Sequence, residues 1–141
     1  MKHYLLPIHH QYAAAIYDGT KRYEVRKRCP NLQPGDIVYL YETKPVQAVT
    51  GYFYVKEVIQ TEPFWFYIDN NSELCIEPDP YFKYTKGHTL VNFIKIGRTF
   101  QLPGKLSLLE FDIERPPQSW RQLQFHIPNS KDIILDYFGL H

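Results

Sequence analysis

The sequence predicts a small α+β domain, mainly β, in which five or six strands form a mixed or closed sheet and one short helix comes early. Apolar residues first recur at helical spacing and then, through most of the chain, at every second position. Turn residues separate these segments. A chain of 141 residues suits a single domain over residues 1–141, because domains commonly have about 100–150 residues. A barrel is expected, since closure removes unpaired strand edges.

The first elements are a strand and the helix. Residues 4–8 form a short apolar run that is typical of an edge strand. Residues 10–18 then place Tyr12 and Ile16 on one apolar stripe, and Gly19 stands where a glycine commonly ends a helix. The sequence therefore predicts a helix of two to three turns that ends at Gly19.

Strand alternation begins after this glycine. Residues 23–28 alternate so that Glu24, Arg26 and Arg28 share one face. Gly51 is expected at a bulge or at a close approach of two backbones. Further strands are predicted at residues 37–43, 48–59, 89–96 and 107–113.

The remaining segments have turn or short-helix character. Pro-Gly-Asp at residues 34–36 has the composition of a tight turn. Residues 63–71 are aromatic and then acidic, and their pattern favours no element. Residues 119–123 predict a short helix with a serine cap, and a further element is expected at residues 132–138.

Composition excludes several classes of protein. No apolar run reaches the roughly 18 residues of a membrane span, and the N-terminus lacks the apolar centre of a secretory signal. Cys29 and Cys75 are far apart, and the histidines lack the spacing of metal ligands. We therefore expect a cytoplasmic protein with no membrane association, no metal and no cofactor.

The charge distribution is more informative than the net charge of +1. From Lys21 to Arg28 the chain has five basic residues and one acid, Glu24. Two cations around a carboxylate lower its pKa, and together they offer donors and an acceptor to a polar ligand. The alternative is a surface ion-pair cluster, which contributes little. The pattern alone leaves both open.

This segment and the strands after it resemble the ASCH domain, which belongs with the PUA-like folds. The resemblance covers about residues 4–113, and residues 115–141 do not map onto it. The matching positions are Gly19-x-Lys21-x-x-Glu24-x-Arg26, Leu32-x-Pro34-Gly35-Asp36, Tyr39-x-Tyr41-Glu42-Thr43 and Pro45-Val46-x-Ala48-Val49-x-Gly51.

The resemblance implies a small β-barrel with a basic cleft beside the first helix, which binds RNA, another nucleic acid or a nucleotide. In this hypothesis the cations contact phosphates and Glu24 accepts a hydrogen bond from a base edge. Trp65 is interpreted as a base-stacking or a buried residue. The expected ligand-binding residues are Lys21, Glu24, Arg26, Lys27, Arg28 and Thr43.

Two other functions stay open. Some relatives resemble amidohydrolases that remove the acyl group of N4-acetylcytidine, and their catalytic lysine matches Lys21. Their threonine nucleophile falls at Glu24, however, and a carboxylate cannot replace a hydroxyl in acyl transfer without a different mechanism. Lys21 and Glu24 would be catalytic in this alternative, with Glu24 as a base on water. The third hypothesis is an interaction or regulatory domain with no ligand in the cleft.

Overall fold

A computed structural model describes residues 1–124, in which six strands form one sheet in a half-barrel. The order across the sheet is β2-β5-β4-β3-β1-β6. This confirms the α+β, mainly β prediction with an early short helix. The elements are β1 (His3–Ile8), α1 (His10–Tyr17), β2 (Tyr23–Arg26), β3 (Ile37–Glu42), β4 (Ala48–Thr61), α2 (Pro63–Leu74), α3 (Pro78–Thr85), β5 (Val91–Leu106), a 3-10 helix (Leu108–Phe111) and β6 (Arg121–Gln122).

The turns and close approaches follow the sequence signals. Gly19 has φ 86° directly after the α1 C-cap, and Gly35 has φ 92° in the turn before β3, so both take the left-handed backbone that glycine permits. Gly51 lies beside a register shift between β3 and β4. A Cβ at Gly51 would collide with the Phe100 carbonyl and lie 2.5 Å from the Tyr17 hydroxyl. The predicted close approach is confirmed.

Strand β1 is not an edge strand, contrary to the prediction. It pairs in parallel with β3 along its whole length, and Tyr4 and Leu5 pair with β6 on the other side. Pro7 lies beyond the two residues that pair with β6, so its missing N–H removes no bond from that short ladder. An apolar run shows that a strand is buried but not which strands flank it.

Three segments near the C-terminal side also differ from expectation. The strand predicted at residues 107–113 is a 3-10 helix, because the Ser107 hydroxyl accepts a hydrogen bond from the Leu109 N–H and begins a tight turn. Residues 119–123 contain strand β6 and not a helix, because pairing with β1 outweighs the local capping signal. The strand predicted at 89–96 continues to Leu106.

Helices α2 and α3 fill the region that the sequence left unassigned. Glu62 caps α2, accepting hydrogen bonds from the N–H groups of Phe64 at 2.6 Å and Trp65 at 2.8 Å. The segment expected at residues 132–138 lies outside the described residues. No helix in the described part of the chain is long and apolar enough to span a bilayer.

Buried side chains form three clusters that fix the helices on the sheet. Helix α1 packs Ile16 against Leu40 and Phe53, and Tyr39 belongs to a second cluster with other strand residues. The third cluster joins α2 and α3 to β2 and β5. Helices α2 and α3 therefore pack beside β2, which carries the motif carboxylate.

Candidate functional site

Glu24 is the centre of the candidate site. Strand β2 pairs with β5 and places Glu24 and Arg26 on the same face. Glu24 is only 4% exposed, and its Oε2 accepts hydrogen bonds from Arg26 Nη2 at 2.7 Å and Nε at 3.1 Å. Its Oε1 lies 3.4 Å from Lys21 Nζ. The motif thus builds a buried carboxylate between two cations.

Lys21 is buried and not part of the exposed surface, at 1% exposure. Its Nζ donates to the Leu74 carbonyl at 2.5 Å and lies 5.1 Å from the centroid of the Tyr12 ring. The ammonium is thus directed into the protein, and the expected contact of Lys21 with a phosphate stays a prediction. The loop after Gly19 turns the ammonium inward, where Glu24 and the end of α2 satisfy it, so Lys21 neutralises the carboxylate from behind.

The two cations keep Glu24 ionised. Burial on its own would raise the pKa of the Glu24 carboxyl, but the charges of Arg26 and Lys21 and their hydrogen bonds outweigh burial, and the pKa is lowered. One carboxylate and two cations leave the group with a single positive charge. That charge reaches solvent through Arg26, whose side chain is 22% exposed.

A cleft of about 420 Å³ opens beside this ion-pair group. Its volume lies within the roughly 300–1,000 Å³ of small-molecule sites. Residues from β1, β2, α1 and α3 and from the segments that connect the elements line it, so a cleft lies beside the first helix. Its aromatic lining includes Tyr12, Tyr81 and Tyr84, and its polar lining comprises His9, Glu24, Arg26, Thr43 and Gln118.

Thr43 and His9 lie at the mouth of the cleft. The Thr43 Oγ1 is 3.2 Å from His9 Nδ1, and the Thr43 N–H donates to the Ile8 carbonyl at 3.0 Å. These residues directly follow β3 and β1, whose parallel pairing brings the two strand ends together. Arg26 Nη2 also donates to the Pro7 carbonyl at 3.1 Å, which ties β2 to β1 across the cleft.

Lys27 and Arg28 lie outside the cleft. Strand β2 ends at Arg26, so the alternation expected through Arg28 stops there. Both residues line an adjacent depression of about 280 Å³, which shares Arg26 and Tyr84 with the cleft. Lys27 Nζ lies 4.5 Å from the Tyr84 ring centroid, and the Arg28 carbonyl accepts from Trp120 Nε1 at 2.9 Å. Tyr84 thus separates the cleft from two exposed cations.

Comparison with known proteins identifies the family. The family model of the ASCH domain matches residues 6–100. The chain belongs to the ASCH domain family. A curated relative from Zymomonas mobilis, named ASCH domain-containing ribonuclease, is 27% identical over 77 residues, which are 55% of this chain and 52% of that protein. The chain thus spans about half the length of the curated relative that it matches.

Two solved structures share the fold of this ASCH domain. The crystal structure of ASCH from Zymomonas mobilis superposes with a TM-score of 0.83 and 20% identity, covering 96% of this chain and 94% of that one. Human THYN1 protein in complex with 5-methylcytosine containing DNA has a TM-score of 0.55 and 11% identity, covering 97% of each chain. At these identities the likeness shows an ASCH/PUA-like fold.

Several residues at the cleft of this ASCH domain had no signal in the sequence. His9 and Gln118 lie in connecting segments, and Tyr81 and Tyr84 belong to α3, which the sequence pattern did not reveal. Tyr12 lies on the stripe of α1 and had the pattern of a packing residue. Trp65, interpreted as stacking or buried, is 64% exposed on α2 and does not line the cleft.

Proposed function

We propose that this ASCH domain binds nucleic acid, RNA in preference to DNA, and takes one unpaired nucleotide into the cleft. The observation that supports this most is the placement of Glu24 and Arg26 beside Tyr12 and Tyr84, with Lys27 next to Tyr84. Aromatic faces stack bases of any sequence, and cations at the rim meet the backbone phosphates. One cleft thus presents a stacking surface, polar groups for a base edge and adjacent positive charge.

Arg26 carries the polar contacts in this proposal. Its Nε and Nη2 are held by Glu24 and Pro7, whereas Nη1 donates to no group within residues 1–124. The guanidinium is therefore fixed in orientation with two N–H groups available. A fixed guanidinium pairs well with a phosphate or with a carbonyl oxygen of a base, because little side-chain entropy is lost on binding.

The relatives support the same class of ligand. One is named a ribonuclease and another is in complex with DNA that contains 5-methylcytosine. RNA is the first choice because single-stranded RNA displays unstacked bases that a cleft can accept. Double-stranded RNA, by contrast, hides its base edges in a narrow groove.

Fluorescence anisotropy with labelled oligonucleotides tests the proposal. We expect single-stranded RNA to bind more tightly than duplex RNA or DNA. Tyr84→Ala should weaken binding by about 1–3 kcal/mol, the usual cost of losing one stacking ring. Lys105→Ala serves as the control, because Lys105 is exposed and does not line the cleft. Absence of binding, or equal losses in the two variants, contradicts the proposal.

RNA cleavage is a second candidate, favoured by one observation in the cleft. The His9 ring lies at the mouth with its Nδ1 held near Thr43, in the same cleft as the Arg26 guanidinium. An imidazole there would accept the proton of a ribose 2′-hydroxyl as its oxygen attacks the adjacent phosphorus. The P–O5′ bond would then break, giving a 2′,3′-cyclic phosphate, and the leaving 5′-oxygen would take a proton from water. Arg26 would stabilise the negative charge on the phosphoryl oxygens. We expect His9→Ala to abolish cleavage of a labelled RNA on a denaturing gel and to leave binding intact.

The amidohydrolase alternative has weaker support. Both oxygens of Glu24 are engaged by cations, and the lowered pKa of its carboxyl makes it a poor base toward water. Lys21 is held by Glu24 and the Leu74 carbonyl and is not open to the cleft. Incubation with N4-acetylcytidine therefore should give no acetate. An interaction domain without a cleft ligand remains the outcome if no nucleic acid or nucleoside binds.

A further inference from the structure

A second cationic surface lies near the C-terminal end of α1, separate from the nucleotide cleft. Arg22, Lys56 and Arg98 are exposed and line a depression of about 450 Å³ beside the C-terminal end of α1. No carboxylate lines this depression, and none of the three cations forms a salt bridge within residues 1–124. Three exposed cations that line one depression without a carboxylate among them create a positive potential that favours an anionic ligand.

Strands β4 and β5 are locally irregular at the positions of Lys56 and Arg98. The pairing of β4 with β5 shifts register between Phe53 and Val55 and again between Val55 and Glu57. Lys56 lies inside the second irregularity, and Arg98 lies on β5 opposite the first. Such bulges redirect side chains and are frequent beside binding sites.

The backbone of Arg22 is held from both sides. Its N–H donates to the Glu73 carbonyl at 2.7 Å, and its carbonyl accepts from the Ile96 N–H at 2.9 Å. These bonds fix Arg22 against β5, directly before the strand that carries Glu24. The depression is therefore built on the same rigid segment as the cleft.

Helix α1 connects the two surfaces. Tyr12 lines the cleft and Ile16 lines the depression. The two residues are one helical turn apart, about 6 Å along the axis. A single strand that leaves the cleft past Tyr12 therefore has the depression within the reach of its next phosphates.

We propose that Arg22, Lys56 and Arg98 bind the phosphodiester backbone of a single-stranded nucleic acid whose neighbouring nucleotide occupies the cleft. This inference rests on the proposed nucleic-acid binding. It adds a second, sequence-independent contact that extends the site around α1. Bases are read in the cleft, and the depression contributes charge alone.

Salt dependence of binding tests the inference. Affinity for a long single-stranded oligouridylate is measured by anisotropy over a range of KCl concentrations, for the full chain and for the triple variant R22Q/K56Q/R98Q. Each phosphate contact contributes about 0.7 to the slope of log affinity against log salt for single strands. The triple variant should therefore lose about 2 units of slope. Its affinity for uridine monophosphate, which fills only the cleft, should not change.

The double variant K105Q/R115Q is the matched control, because both residues are exposed and line neither surface. The inference is overturned if the triple variant and this control show the same slope of log affinity against log salt. It is also overturned if the triple variant loses as much affinity for uridine monophosphate as it loses for the oligouridylate. Equally tight, salt-dependent binding of polyglutamate to the depression also overturns it, since the ligand would then be a protein. If Tyr84→Ala still weakens uridine monophosphate binding, the proposed function survives that failure. If no nucleic acid binds at all, both fail.

Discussion

At the scale of single residues, Glu24 has two roles that a surface carboxylate could not combine. Its hydrogen bonds hold the Arg26 guanidinium in one orientation, and its charge compensates that of the buried Lys21. Removing one member of a buried ion pair leaves the others uncompensated. The residue that orders the cleft is therefore also a residue on which folding depends.

Glu24→Gln should destabilise the protein by roughly 3–5 kcal/mol at neutral pH, because Lys21 is left buried without its counter-charge. The folded-state pKa of Glu24 lies below its ordinary value of 4.5. Its contribution to stability is therefore present above that value and is lost as the pH falls through the folded-state pKa. Urea unfolding of the unchanged protein and of Glu24→Gln is measured over a pH series. The difference between their free energies of unfolding should become smaller as the pH is lowered.

The control for this experiment is Glu114→Gln, which changes an exposed carboxylate. It should alter stability little at any pH, as surface charges usually do. If the loss of unfolding free energy in Glu24→Gln did not depend on pH, the carboxylate would stabilise the protein through its shape and not through its charge.

Gly51→Ala should cost about 1–3 kcal/mol, as overpacking of a close-packed interior commonly does. The added methyl group meets the Phe100 carbonyl and the Tyr17 ring. Thermal unfolding of Gly51→Ala with and without Tyr17→Phe separates the two collisions. The Phe100 carbonyl belongs to the backbone and cannot rotate away. Adding Tyr17→Phe should therefore restore little of the stability that Gly51→Ala loses. Full recovery would place the collision on the Tyr17 hydroxyl alone.

At the scale of secondary structure, α2 and α3 offer a matched pair of caps. Both begin with proline after a glutamate, yet only Glu62 accepts hydrogen bonds from its helix, and Glu77 makes no side-chain cap bond. Glu62→Ala should therefore cost about 0.5–2 kcal/mol, the typical loss for a side-chain cap. Glu77→Ala should cost much less. Chemical denaturation measures both, and equal losses would contradict the capping argument.

Elements with local signals were predictable from the sequence. Helix α1 stops two residues before Gly19, which has a positive φ directly after the C-cap. The turn before β3 has Gly35 with positive φ, and the close approach at Gly51 is present. Each depends on one glycine or on periodicity within a few residues. Helix α2 was missed because Phe64, Trp65 and Ile68 are exposed, so its apolar residues do not form one buried stripe.

The candidate site was predictable only in part for the same reason. The clustering of Glu24 with Lys21 and Arg26 follows from their spacing across a loop and one strand face. The burial of Lys21 depends on the Leu74 carbonyl, which lies 53 positions later in the chain. Tyr84 likewise reaches the cleft only through tertiary packing. Contacts between distant segments have no periodic signature.

At the scale of the whole molecule, the topology explains where the cleft forms. Strands β1 and β3 are parallel, so their carboxyl ends lie together at one edge of the sheet. His9 and Thr43 stand at this edge, and α1 and α3 close the remaining sides. Ligand sites outside the carboxyl ends of parallel strands are a general feature of open sheets.

The same topology predicts a gradient of stability through the sheet. Strand β3 lies between β1 and β4, and all six of its residues are buried. Its amide hydrogens should exchange only when the whole protein unfolds. Strand β6 has two residues, Arg121 and Gln122, both exposed, and within residues 1–124 it pairs with β1 alone. Its amides should exchange through local opening.

Native-state hydrogen exchange in increasing urea distinguishes these classes. The free energy of exchange for β3 should equal the global free energy of unfolding and fall with urea at the same slope, since both expose the same surface. For β6 it should be lower and nearly independent of urea. Strand β2 pairs with β5 alone among the strands of the described chain, so its free energy of exchange should lie between those of β3 and β6 despite its buried ion pairs. If β6 exchanged as slowly as β3, the sheet would unfold as one unit and the gradient would be absent.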